Sequence, residues 1–124
     1  MCNAPSRIAI VDDDESVRRA LARLARSLGL EPTTYASGEA LLEGAAQSLP
    51  HAILLDLHLP GIRGPDLMAA LRGQGVKAPV VIMTGLDRPG ARQLCFHAGA
   101  VAFITKPVTR ADLVRLFEPP AEHR

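Results

Sequence analysis

Four short apolar runs, each ending in a polar side chain, constrain this chain more than any other feature. Arg7-Ile8-Ala9-Ile10-Val11 runs into Asp12-Asp13-Asp14, and His51-Ala52-Ile53-Leu54-Leu55 runs into Asp56. Val80-Val81-Ile82-Met83 ends at Thr84-Gly85, and Ala102-Phe103-Ile104-Thr105 ends at Lys106-Pro107. Uninterrupted apolar runs of this length suit strands buried on both faces, as in parallel sheets covered by helices. Open α/β sheets place their sites beyond the C-terminal ends of their strands. Parallel pairing would therefore bring carboxylates, a hydroxyl and an ammonium to one edge. That set suits a divalent cation and a phosphoryl group.

The stretches between the runs read as helices. Val17, Leu21, Leu24 and Leu28 recur at helical spacing over Glu15–Leu28, and Gly29 follows as a stop. Thr33–Tyr35 is a short β-favouring run. Ser37 fits the N-cap of a helix through Ala40, Leu41, Leu42 and Ala45. Pro65 suits the first turn of a helix through Leu67, Met68 and Leu71, ended by Gly73 and Gly75. Arg88–Ala98 has a weaker helical pattern, interrupted near its start by Gly90. Thr109-Arg110-Ala111-Asp112 has the capping-box pattern, with Leu113, Leu116 and Phe117 as the apolar face behind it. The order is (βα)5, with right-handed crossovers between parallel strands.

A length of 124 residues is that of one domain. The formal net charge of +1 does not suggest nucleic-acid binding through a broad basic surface. Cys2 and Cys95 form neither a disulfide framework nor a metal-ligand spacing, and Cys95 reads as a small core residue. No apolar run is long enough for a signal peptide or a membrane span, so the expected location is the cytoplasm. Residues 1–118 are read as the domain, and residues 119–124 as a tail or the start of a linker.

Each polar residue also has a plainer explanation. Asp14 and Glu15 read as favourable charge at a helix N-terminus. Asp12 and Asp13 lie at the strand end and fit that explanation less well; they would repel Asp56 unless a cation sat among them. Asp56 alone would read as a turn cap, but beside Mg²⁺ its carboxylate can attack phosphorus to form an acyl phosphate. Lys106 supplies a compact cation for phosphoryl oxygens or for Asp56 itself. Pro107 behind it opens the way to a cis peptide bond. Thr84 offers a hydroxyl donor, and Gly85 leaves the site uncrowded.

Taken together, Val11-Asp12-Asp13-Asp14, Leu55-Asp56-Leu57-His58-Leu59-Pro60-Gly61 with Gly64, Met83-Thr84-Gly85 and Phe103-Ile104-Thr105-Lys106-Pro107 resemble the receiver domain of two-component response regulators. The resemblance covers residues 6 to 118. Ile104-Thr105-Lys106-Pro107-Val108 looks most like receivers attached to LuxR-type helix-turn-helix output domains. It implies an α/β, flavodoxin-like fold: a five-stranded parallel sheet in order 2-1-3-4-5 with helices on both faces. Asp56 would be the phosphoacceptor, served by a sensor histidine kinase. Asp13 would bind Mg²⁺ directly, Asp12 mainly through water, and the backbone carbonyl of His58 would be the third protein ligand, with Mn²⁺ as a possible substitute. Lys106 and Thr84 would contact the phosphoryl group, and Phe103 would be the switch aromatic that turns inward when Thr84 moves.

The resemblance further implies that the face formed by the fourth helix, fifth strand and fifth helix changes shape on phosphorylation. That face would mediate homodimerisation, or contact with an output domain or downstream protein, with transcription as the outcome. The chain would catalyse only its own phosphorylation and dephosphorylation, with no direct nucleic-acid or membrane contact. Arg19, Arg23 and Arg26 form a basic stripe on the first helix, which in the family helps dock the kinase; a solvated face is the plainer alternative. His58 reads as an exposed loop histidine, though its imidazole is within range of a phosphoryl group. A stand-alone receiver acting by docking is the alternative reading. A phosphatase of the haloacid dehalogenase type is disfavoured, because that class wants an acid two residues after the nucleophile and His58 stands there. A flavin module is disfavoured by a single tyrosine and no tryptophan.

Overall fold

The computed structural model describes residues 7–85 and 89–117. Five strands and five helices alternate along them. They are β1 (Arg7–Val11), α1 (Glu15–Ser27), β2 (Glu31–Tyr35), α2 (Gly38–Gln47) and β3 (Ala52–Asp56), then α3 (Gly64–Gly73), β4 (Val80–Thr84), α4 (Ala91–His97), β5 (Ala102–Thr105) and α5 (Arg110–Phe117). All strand pairs are parallel, in order β2-β1-β3-β4-β5. The parallel pairing is that expected of the apolar runs, and the strand order is the one the family resemblance implies. No helix among the described residues is long and apolar enough to cross a membrane.

Strand alternation divides the core into two layers. Ala9, Val11, Ile53, Leu55, Val80 and Ile82 pack with Leu41, Leu67, Met68, Leu71 and Cys95 of α2, α3 and α4. Ile8, Ile10, Leu54, Val81 and Met83 pack on the other face with Leu21, Ala22, Ala25 and Leu113 of α1 and α5. Both faces of β3 and β4 are thus buried, which is why their runs contain no polar residue until the last position.

The helix starts follow the side chains at their entrances. Asp14 caps α1, accepting from the Ser16 N–H at 2.9 Å and the Ser16 hydroxyl at 2.8 Å. These bonds hold its carboxyl below the usual aspartate range. Ser37 caps α2 through the Ala40 N–H at 3.1 Å. Thr109 and Asp112 close the expected box reciprocally, with bonds of 2.9 and 3.2 Å.

Two boundaries differ from the sequence reading by more than one residue. Strand β2 begins at Glu31 rather than Thr33, because Glu31 and Pro32 lie in register with Arg7 and Ile8. Pro32 is tolerated because β2 is an edge strand. Helix α4 begins at Ala91, behind Gly90 at φ +84°, a left-handed conformation that glycine adopts without strain. Arg88, the expected helix start, and the tail at 119–124 lie outside the described residues.

Gly38 is where α2 approaches the loop between β3 and α3. A Cβ there would sit 2.6 Å from Ile62 Cγ2 and 3.1 Å from Leu67 Cδ2. The Gly38→Ala variant is expected to unfold with a stability lower by about 1–2 kcal/mol, the overpacking term exceeding the gain in helix propensity. Urea denaturation reads this directly; equal midpoints would show that Ile62 yields freely.

Candidate functional site

Sheet register carries the polar residues to one place. Val11 pairs with Leu55, so Asp12 and Asp56 are the next residues on neighbouring strands. Asp56 pairs with Met83, and Thr84 follows. Thr84 pairs with Thr105, and Lys106 follows. Backbone bonds extend the ladder one step beyond these pairs: Leu57 N–H to Met83 O at 2.8 Å and Lys106 N–H to Thr84 O at 2.7 Å. The groups are therefore held by rigid backbone at the C-terminal edge.

Asp12 and Asp56 are buried, at 0% and 4% exposure, whereas Asp13 is exposed. One carboxylate oxygen from each lies within 4.8 Å of the others. Lys106 Nζ lies 2.6 Å from Asp12 Oδ2 and 3.5 Å from Asp56 Oδ1. The ammonium is thus seated between two carboxylates but bonded mainly to Asp12, where the sequence suggested Asp56 as its carboxylate partner. Asp12 Oδ1 accepts the Asp14 N–H at 2.9 Å, and Asp56 Oδ1 accepts the His58 N–H at 3.2 Å. The Lys106–Pro107 peptide bond is cis.

Burial pushes the Asp56 carboxyl above the usual aspartate range. The His58 N–H and the Lys106 ammonium pull against this, and the Asp12 charge adds to it. Burial alone would pull the Lys106 ammonium down, but the Asp12 hydrogen bond and the charges of Asp56 and Asp12 outweigh it and hold it above 10.5. Formally, three carboxylates face one ammonium, leaving an excess of negative charge on a partly buried oxygen cluster. Oxygen donors and that excess fit a hard divalent cation rather than an ion seeking thiolates.

Thr84 is wholly buried, and its Oγ1 lies 3.1 Å from His58 Nε2. Phe103 is half-buried on β5, facing α4. Its ring centroid is 6.5 Å from that of Phe96, and the Arg92 guanidinium carbon stands 4.7 Å above its ring. Asp12, Asp13, Asp56, Thr84, Lys106 and His58 thus gather at one edge, while Phe103 lies along β5 against α4. Asp14 stays with α1 as its cap.

Three contacts had no counterpart in the sequence reading. His58 is exposed, as expected of a loop histidine, yet its ring reaches Thr84 on another strand. Arg18 donates from its Nη1 to the Asp12 carbonyl at 2.8 Å. Its place one helical turn after Asp14 is the signal that was available. Arg92 meets Phe103 across two elements, and no local pattern marks such a pair. Arg19, Arg23 and Arg26 are exposed on α1 and line a groove with Glu15, Arg18, Pro32 and Thr34.

Residues 8–118 match the family model of the response regulator receiver domain. The chain is 32% identical over 114 residues to the DNA-binding transcriptional regulator NtrC of Escherichia coli K12, covering 92% of this chain and 24% of NtrC. It is 33% identical over 108 residues to the transcriptional regulatory protein PrrA of Mycobacterium tuberculosis, covering 87% of this chain and 46% of PrrA. The chain therefore spans less than half the length of either relative. The fold superposes with a TM-score of 0.82 on the receiver domain of the sensor histidine kinase PA1611 of Pseudomonas aeruginosa. That structure has a magnesium ion coordinated in its active-site cleft; it is 30% identical, with 91% of this chain and 94% of that one covered. Matched over nearly its whole described length, and built on the doubly wound sheet that brings Asp12, Asp13, Asp56, Thr84 and Lys106 to one edge, the chain belongs to the receiver domain family of response regulators.

Proposed function

We propose that this chain accepts a phosphoryl group on Asp56 from a sensor histidine kinase and passes the change to an output domain or partner. The observation that carries this reading is the cluster of Asp12, Asp13 and Asp56 with Lys106 Nζ between two of them. A carboxylate oxygen of Asp56 attacks phosphorus, an acyl phosphate bond forms, and the phosphorus–nitrogen bond to the kinase histidine breaks, leaving the imidazole as product. Asp12, Asp13 and Asp56 with the His58 carbonyl would hold Mg²⁺, or Mn²⁺ in its place. When bound, the ion neutralises charge on the transferring phosphoryl oxygens. Lys106 turns from Asp12 toward a phosphoryl oxygen, a move eased by its position between the two acids. Thr84 donates its hydroxyl to another oxygen.

The signal leaves through β5. Phosphorylation adds charge beside Thr84. As Thr84 moves, Phe103 repacks in the space vacated and the α4-β5-α5 face changes shape; a partner or second copy that prefers that shape shifts the population. Leu94, Phe96 and Val101 are exposed apolar side chains on or beside α4, which suits a face that docks. Residues 1–118 form the receiver, and 119–124 begin a linker or tail. It works in the cytoplasm and touches neither nucleic acid nor membrane itself. Transcription is the output, as the names of NtrC and PrrA suggest. The chain acts on no external substrate beyond its own phosphodonor.

Radiolabelled acetyl phosphate tests the reading. One phosphoryl group per chain is expected on Asp56 with Mg²⁺, and none with a chelator. Label located elsewhere, or unaffected by chelation, would contradict it.

A further inference from the structure

Two groups compete for one hydroxyl at this site. In the proposed reaction Thr84 donates to a phosphoryl oxygen on Asp56; in the resting chain its Oγ1 lies 3.1 Å from His58 Nε2. We propose that His58 is a positioning residue that latches Thr84 in its resting place, so that the latch must open before Thr84 engages the phosphoryl group. This rests on the phosphoacceptor reading.

The geometry makes His58 a bridge between the two groups that must act together. Its backbone N–H donates to Asp56 Oδ1 at 3.2 Å, while its ring crosses from the end of β3 to the end of β4. Leu57 and Leu59 on either side are anchored in the apolar layer beneath α3 and α4, which limits how far the loop can drift. Thr84 is wholly buried at the strand end, so its hydroxyl moves between discrete partners rather than into bulk water. A hydroxyl has one proton to give, so with Nε2 accepting it the His58 bond and the phosphoryl bond exclude one another. A contact present in one state and absent in the other biases the equilibrium by its net strength, whatever the ligand.

Beryllium fluoride, a phosphoryl mimic, tests the latch when titrated with Mg²⁺ into the whole chain while the Thr84 methyl signal is followed by NMR. Loss of a typical net hydrogen bond corresponds to a population change of about fivefold. His58→Ala is expected to tighten beryllium fluoride binding by that factor and to shift the unbound methyl signal toward its bound position. His58→Asn, too short to span to Thr84, should do the same with a polar side chain in place. His58→Gln, which can reach, should stay near the wild type. In a Thr84→Val background the effect of His58→Ala should vanish. Unchanged affinity in His58→Ala would overturn the proposal, as would equal tightening in both backgrounds, which would mean easier access rather than release of Thr84. A wild-type chain that binds no beryllium fluoride would instead overturn the phosphoacceptor reading, and the latch with it. None of these substitutions removes the backbone carbonyl of His58.

Discussion

Asp56→Asn is expected to abolish phosphoryl labelling and, in the same protein, to raise the melting temperature of the metal-free chain. The first effect follows from chemistry. An amide oxygen is too poor a nucleophile to displace a phosphodonor, and no other carboxylate sits at the end of β3. The second follows from electrostatics. Asp56 is 4% exposed and lies beside Asp12, and burial first, then that neighbouring charge, holds its carboxyl above the usual range. The folded chain therefore binds this proton more tightly than the unfolded chain does.

The sign is then set. Below the ordinary aspartate value of 3.8 the group is protonated in both states and weakens nothing. As pH rises through 3.8 and on to the raised folded value, stability falls, and the penalty persists at neutral pH. Asparagine has nearly the same shape, keeps an oxygen to accept the His58 N–H, and carries no charge. Calorimetry at pH 7 should show a midpoint higher by a few degrees, a gap that closes as the solution is acidified toward pH 4. A variant less stable than the wild type without metal would mean that Lys106 more than compensates the Asp56 charge.

Lys106→Met is expected to act in the opposite direction. Lys106 Nζ bonds Asp12 Oδ2 at 2.6 Å, and the Asp12 side chain is 1% exposed. Removing the ammonium leaves a buried carboxylate next to a second one with no cation between them. Breaking such a pair is costly because the remaining charge stays buried, and with the lysine partly open to solvent a loss of about 3 kcal/mol is reasonable. Urea denaturation without divalent ions measures it. In the wild type the contribution of this pair is complete below pH 10.5 and is lost as pH rises through the higher folded value, because the folded ammonium holds its proton more tightly. The variant should also bind Mg²⁺ more tightly, since a competing positive charge has gone, yet take up label more slowly. An unchanged denaturation midpoint would show that Asp12 is solvated well enough to stand alone.

Much of the site was legible before any coordinates. A strand buried on both faces has room for polar atoms only where it leaves the sheet, so Asp12, Asp56 and Thr84 announce themselves as the first polar residues after apolar runs, and Lys106 follows Thr105 at the end of the partly exposed β5. The caps at Ser37 and Thr109 were legible for a similar reason, since each satisfies a backbone donor three residues on, whereas Asp14 read only as favourable charge at the start of α1 and proved to be its cap. The start of β2 was not, because Glu31-Pro32 has little strand propensity of its own and is held by pairing with β1. Phe103 could be read as an aromatic at a switch position, but not as a ring that meets both Arg92 and Phe96.

What the amino-acid order determined by itself is the list of strands and helices and which groups stand at the strand ends, because burial and capping act over short stretches of chain. Only the tertiary structure decided which of those groups touch: that Lys106 bonds Asp12 more closely than Asp56, and that an exposed loop histidine reaches Thr84. Such pairings depend on register between strands far apart in the chain and on a few ångströms of side-chain reach, and neither quantity is encoded locally.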